Sequence, residues 1–381
     1  PVRRAGAVAP RRIAGRLALL LVGGIALLAG LDGALLLLGL SAPIVSARLA
    51  DVHGPLMVFG FVGTVVVLER AVAVRKKWAF LSPALLGAGG LALLSPLPLP
   101  VGQLGFVAGS VVLLPIYLMI WRRAPSTSTA VQALGAMLGL MATVLWLGGM
   151  PIPLLVPAMS LYLVLTIAGE RLELARISPS VDERAETRLL GVSLATLAGV
   201  VIALFWPSIG YPLLGIGMLG LVAWLFRHDV ATRLIRSRGL PRYMAACLLA
   251  GYGWLVVAGG CWLILGPSYS GPAYDGVLHA VFLGFVMSMI MAHAPTILPA
   301  VLRRPLPYRP VMYGPAALLH ASLLARILFG DARALPWLVE WGGLLNIVAV
   351  LSFVLVAVVS VLLGAPGPSA TRPTTAGKVS R

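Results

Sequence analysis

The fold class this sequence predicts is an all-α polytopic membrane protein of about twelve spans, and three observations predict it. The chain of 381 residues is 60% hydrophobic and only 11% charged, with mean hydropathy +0.99. A soluble domain needs more charge than that on its surface. Apolar runs of about 17–25 residues recur along the chain, the length needed to cross the hydrocarbon as a helix. Finally, the connections between runs alternate between strongly basic and nearly uncharged, as cytoplasmic and external loops do. The net charge of +17 would suit a nucleic-acid partner. Its confinement to short clusters between apolar spans points to loops and lipid headgroups instead.

The expected spans, in order, are about 14–40, 52–74, 79–95, 101–121, 129–150, 153–175, 188–206, 210–226, 243–265, 277–300, 311–329 and 337–363. The first is too long for a cleaved signal and is read as a retained helix. The third is short, and Pro151 to Pro153 makes the turn between the fifth and sixth. Basic clusters fall at Arg3 to Arg16, Arg75 to Lys77, Arg122 and Arg123, Arg171 to Arg188, Arg227 to Arg242, and Arg303 to Arg309. The tail carries Arg372, Lys378 and Arg381. The alternate loops, such as Ser95 to Pro100, Trp206 to Pro212, Gly266 to Gly276 and Gly330 to Trp337, are rich in Pro and Gly. Both termini are therefore expected to be cytoplasmic, with the chain in the plasma membrane. Trp78, Trp121, Trp206, Tyr211 and Trp337 suit interfacial belts. Residues 1–363 read as one transmembrane domain and 364–381 as a disordered tail. Cys247 and Cys261 lie fourteen residues apart in one span, roughly 21 Å along a helix, too far for a disulfide.

The chemistry is carried by histidines. His53 opens the second span and His279 the tenth, both expected within the first turn on the external side. Each precedes a Gly-Phe-Val: HGPLMVFGFV from His53 and HAVFLGFV from His279. An imidazole at a span end can simply bond to water, but two at matched depth suggest a shared ligand. Two imidazoles from facing helices can clamp a haem edge-on. Gly54, Gly60, Gly63 and Gly284 could admit the ring, or could serve only to pack helices. His293 and His320 are expected in the inner half at similar depth, forming a second haem or metal site or a polar contact. Met287, Met289 and Met291 beside His293 raise a weaker copper(I) alternative. Asp51 and Asp275 could each orient the histidine that follows, or cap a helix. Glu69, Arg70 and Glu170 form either an ion-paired inner interface or a proton uptake point.

The segments Asp51-Val52-His53-Gly54 through Gly60-Phe61, and Leu278-His279-Ala280 through Gly284-Phe285, resemble the haem–copper oxidase catalytic subunit, subunit I. There, one histidine on the second and one on the tenth of twelve helices hold a low-spin haem. The ending His293-Ala294-Pro295-Thr296-Ile297-Leu298-Pro299 is similar to endings in the NnrS family, which is linked to haem, copper and nitric oxide. The resemblance implies haem b on His53 and His279, with an electron donor or membrane subunit as partner. It departs in that the sixth and seventh spans hold no histidine and the tenth lacks a second ligand two residues from the first. An oxygen-reducing copper centre is therefore not expected, and any enzyme activity would be that of an oxidoreductase. The implied role is electron transfer or nitric-oxide stress response. A secondary transporter is the alternative, though polar midplane residues are few, such as Gln132, Thr143 and Asn346. A non-catalytic membrane assembly subunit is the other.

Overall fold

A computed structural model describes residues 10–44, 46–176 and 181–364 of the chain. The tail expected from 364 onward lies, past Gly364, outside the described residues. Twelve helices are long and apolar enough to cross a membrane. They are α1 (Ile13–Leu37), α2 (Arg48–Val74), α3 (Lys77–Leu94), α4 (Leu99–Arg123), α5 (Thr127–Leu147) and α6 (Ile152–Ala175). Then come α7 (Glu183–Phe205), α8 (Pro207–His228), α9 (Leu240–Leu265), α10 (Gly271–Leu302), α11 (Pro310–Asp331) and α12 (Pro336–Leu363). A one-turn helix, Ala231–Leu234, sits between α8 and α9. No strand occurs among the described residues.

Turn chemistry sets several boundaries. Pro at the first turn starts α6, α8, α9, α10 and α12, where a missing N–H costs nothing. Ser126 caps α5 and Asp182 caps α7 through their side-chain oxygens. The clearest departure from expectation is α10, which begins at Gly271 rather than near 277 because Pro272 can open a helix but not interrupt one. Asp275 and His279 consequently share one helix face. Tyr211, expected at the interface, is buried against Trp262 and Tyr269, whereas Trp206 and Trp337 are exposed.

Consecutive helices pack side by side, and α12 returns to α1, closing a ring. Three helices face inward. The apolar windows of α2, α6 and α10 are 61%, 83% and 67% buried, more than those of their neighbours in sequence. Every fourth helix is thus central. Side chains tie these three together: Phe59 of α2 stacks on Tyr162 of α6 with centroids 5.7 Å apart, and Arg171 of α6 bonds His293 of α10. Close approach relies on small residues, as expected where lipid is no less apolar than the helix surface. A Cβ on Gly135 of α5 would lie 2.8 Å from the Tyr162 carbonyl, and one on Gly139 would lie 2.9 Å from its ring.

Two central helices share a second feature. Residues Leu56–Gly63 of α2 and Ala280–Met287 of α10 wind as π-helix, and so do Leu324–Asp331 of α11. The first π segment starts three residues after His53 and the second immediately after His279. The repeated Gly-Phe-Val falls inside each. The likeness of the two sequences is therefore also a likeness of backbone, and π turns concentrate at functional positions.

Side-chain bonds confirm that the loops sort onto two faces. On one face Arg16 bonds the Val301 carbonyl and Arg123 the Val74 carbonyl, joining the basic ends of α1, α10, α4 and α2. On the other, Arg48 donates to the carbonyls of Ser95 and Leu97, holding the proline-rich α3–α4 loop. These are called here the basic face and the proline-rich face.

Candidate functional site

Near the proline-rich face, α1, α2, α10 and α11 bring His53, His279, Asp275 and Arg326 within electrostatic reach of one another. The ring of His53 is positioned by α1. Its Nδ1 donates to the Gly30 carbonyl at 2.7 Å. Gly33 makes room, since a Cβ there would meet the Leu49 carbonyl at 2.8 Å and His53 Cβ at 3.2 Å. His279 is positioned from its own helix. Its Nδ1 lies 2.8 Å from the Asp275 carbonyl and 3.2 Å from Asp275 Oδ1. Arg326 in turn grips the Asp275 carboxylate with two bonds, at 2.9 and 2.7 Å. Asp331 at the end of α11 adjoins the same pair.

The tautomers follow from these partners. A carbonyl oxygen has no proton to give, so Nδ1 is the protonated nitrogen of both His53 and His279. Nε2 then carries the lone pair, and among the described residues neither Nε2 has a hydrogen-bond partner. That is the state of a metal-binding imidazole, with one nitrogen fixed by a carbonyl or carboxylate and the other free. By its chemistry, a pair of such imidazoles is a donor set that could hold a haem iron. Gly54, one residue beyond His53, faces open space: only the Ile152 side chain, at 3.9 Å, would touch a Cβ there.

The other two histidines are engaged differently. Trp254 Nε1 donates to His320 Nδ1 at 3.0 Å, so the proton of His320 sits on Nε2. His293 has both nitrogens occupied, Nδ1 by the Met289 carbonyl at 2.8 Å and Nε2 by Arg171 at 3.1 Å. The structure brings His293 to α6 and His320 to α9, and no hydrogen bond joins the two. Met289 and Met291 are buried, and a Cβ on Gly251 would lie 2.9 Å from the Met289 methyl, a packing contact. Among the described residues no group of three or more His, Cys, Asp or Glu is placed to hold a metal.

Toward the basic face the charges are paired. Arg70 of α2 bonds Glu170 of α6 at 2.5 Å, with Glu69 at 3.7 Å and Glu173 at 3.8 Å. Beside it, Arg171 makes two bonds to Asp229, at 2.6 and 2.7 Å, and Tyr252 donates to the same carboxylate at 2.7 Å. Burial alone would push the Asp229 carboxyl up, but the Arg171 guanidinium and the Tyr252 hydroxyl hold it below its ordinary range.

Several of these residues escaped sequence reading. Arg326 lies inside an apolar span, and a lone intramembrane arginine should have prompted a search for its carboxylate. Asp229 lies in a loop whose arginines masked it. Of the two aspartates proposed to orient a histidine, Asp275 does so. Asp51 is exposed, and the Gly30 carbonyl does that work for His53. Gly60 packs on Ala26 and Gly90, Gly63 on Leu86 and Tyr162, and Gly284 on Trp254, so all three are spent on helix contacts.

Neither the curated proteins nor the solved structures yield a match to this chain. Residues 16–362 match one family, which takes in nearly every described helix from α1 to α12. The chain belongs to the family described as a domain of unknown function, DUF8744.

Proposed function

We propose that this chain is a multi-pass plasma-membrane protein, with cytoplasmic termini, that holds one haem b between α2 and α10 and passes electrons through it. One observation carries the reading: His53 and His279, on two central helices and within electrostatic reach of each other, each commit Nδ1 to an acceptor and leave Nε2 free. His53 and His279 would hold the haem through their Nε2 atoms, and the group would supply a ferric/ferrous couple suited to electron transfer. The chain's own groups do the rest. The Gly30 carbonyl and Asp275 hold the Nδ1 protons and so aim both lone pairs. The Asp275 carboxylate makes the His279 ring a stronger donor. Arg326 balances the charge of Asp275. Cys247 and Cys261 are too far apart in sequence for thioether attachment, which favours haem b over a covalent haem. The partner is then a redox protein or membrane subunit reaching the proline-rich face.

The test is an optical spectrum of the full chain purified in detergent with haem supplied, oxidised and then reduced. A bis-imidazole spectrum is expected for the wild type and for His228→Ala. Loss of that spectrum is expected for His53→Ala and for His279→Ala, since each removes an axial bond. Retention of full haem in both of those variants, with loss in His293→Ala, would move the chemistry to the basic half of the bundle. A wild type that takes up no haem would leave the chain without this function.

A further inference from the structure

At the basic face a groove of about 1120 Å³ opens between the start of α1, the α2–α3 turn and the end of α10. Its rim carries five cations, Arg16, Arg75, Lys76, Lys77 and Arg303, and no carboxylate lines it. Its floor is apolar, formed by Leu19, Val72 and Phe80 among others. Arg16 lies over the Phe80 ring with its guanidinium carbon 5.8 Å from the centroid. The other four cations are exposed, and among the described residues none of them enters an ion pair. Two buried arginines toward this face are instead neutralised within the protein, Arg70 by Glu170 and Arg171 by Asp229. The groove therefore sets four exposed cations without ion pairs beside an apolar trough, at the ends of membrane-length helices where lipid headgroups would lie.

We infer that this groove binds one anionic phospholipid, its phosphate among Arg75, Lys76, Lys77 and Arg303 and an acyl chain along Leu19, Val72 and Phe80. Charge complementarity selects the headgroup, because each cation near an anionic lipid surface contributes roughly a fivefold factor in binding. The apolar floor selects a lipid over a soluble phosphate, because each buried methylene adds about a fourfold factor. The backbone fixes two of the cations. Arg75 ends α2 and Arg303 ends α10, both left-handed, with φ of 59° and 56°. A C-terminal left-handed residue turns the chain sharply, so the following basic residues project beside the helix end rather than beyond it.

Native mass spectrometry of the detergent-purified full chain tests this, with dioleoyl phosphatidylglycerol and dioleoyl phosphatidylcholine as probes. The wild type is expected to bind phosphatidylglycerol at least about tenfold more tightly. The triple variant Lys76→Gln, Lys77→Gln, Arg303→Gln keeps Arg75 and is expected to lose most of that preference. All three positions are exposed, and circular dichroism of the variant reports whether the helices persist. A control variant with Arg233, Arg236 and Arg238 changed to Gln removes the same charge from the α8–α9 loop and should keep the preference. The proposal is overturned if the groove variant retains the preference, or if the control loses it as fully. It is also overturned if glycerol 3-phosphate displaces phosphatidylglycerol at comparable concentration, since the site would then be one for soluble phosphate.

Discussion

At the scale of single residues, hydrogen-bond partners rather than position separate the four membrane histidines. The sequence exposes their existence and rough depth, because a polar ring in an apolar run stands out. It does not expose which nitrogen is free, since that depends on carbonyls contributed by other turns and helices. Gly30 is 23 residues from the ring it orients. The contrast between Asp275 and Asp51 gives a direct check. Asp275→Asn removes the carboxylate beside His279 Nδ1 but keeps its carbonyl, so haem affinity is expected to fall about tenfold, as for other groups that orient a ligand. Asp51→Asn should leave affinity unchanged. Titration of each purified variant with haem, followed optically, distinguishes the two. The buried pair Arg171–Asp229 makes a different prediction. Asp229→Asn leaves a guanidinium buried without its counter-charge, costing about 3–5 kcal/mol in the full chain. The sign of the pH effect follows from the lowered Asp229 pKa: the stabilisation is present above the ordinary carboxylate range and is lost as pH falls through the native value. Thermal unfolding followed by circular dichroism should therefore show a wild type well above the variant near neutrality. The difference should shrink only at strongly acidic pH, below about 4.

Helices were legible in number, order and approximate ends, because twenty apolar residues can satisfy their backbone in lipid in only one local way. What stayed hidden was the winding within them. At about 100° per residue, the steps from His279 to His293 would bring the two rings to nearly the same helix face. The π segment Ala280–Met287 lies between them and breaks that count. His279 meets Asp275, while His293 meets Arg171. The glycines hold these windings against their neighbours, and their costs differ by position. A Cβ on Gly284 would fall 2.3 Å from Trp254 Cγ, near the root of a side chain with little freedom to move. Since Trp254 also donates to His320, Gly284→Ala should displace a hydrogen bond as well as a ring. A loss of about 1–3 kcal/mol is expected, the usual cost of overpacking. Gly54→Ala, where the nearest atom is 3.9 Å away, should unfold at nearly the wild-type temperature. Comparing the two melting temperatures in one detergent separates close packing from a mere loss of glycine.

For the whole molecule, charge distribution and packing agree on an arrangement that neither gives alone. Loop composition divides the connections into two sets, and the contacts of Arg16, Arg123 and Arg48 place each set on its own face. The centrality of α2, α6 and α10 was not visible, since a buried helix and a lipid-facing one are both apolar all round. Arg48, Arg326 and Arg333 break the simple charge rule on the proline-rich face; the first two are consumed internally, by carbonyls and by Asp275, and Arg333 lies exposed over the Phe329 ring. Most of the exposed cations near span ends, including Arg75, Lys76, Lys77 and Arg303, lie on the basic face. The positive-inside rule counts short loops close to the membrane, which is what these are. The basic face should therefore be cytoplasmic. Cysteines introduced singly into a background with Cys247 and Cys261 replaced by Ala provide the readout. A cysteine at Ser237, in the α8–α9 loop, should resist a membrane-impermeant thiol reagent in intact cells and react after lysis. A cysteine at Ser268, in the α9–α10 loop, should react in intact cells. The opposite pattern would invert the molecule, placing the His53–His279 pair on the cytoplasmic side and requiring a cytoplasmic electron donor in place of an external one.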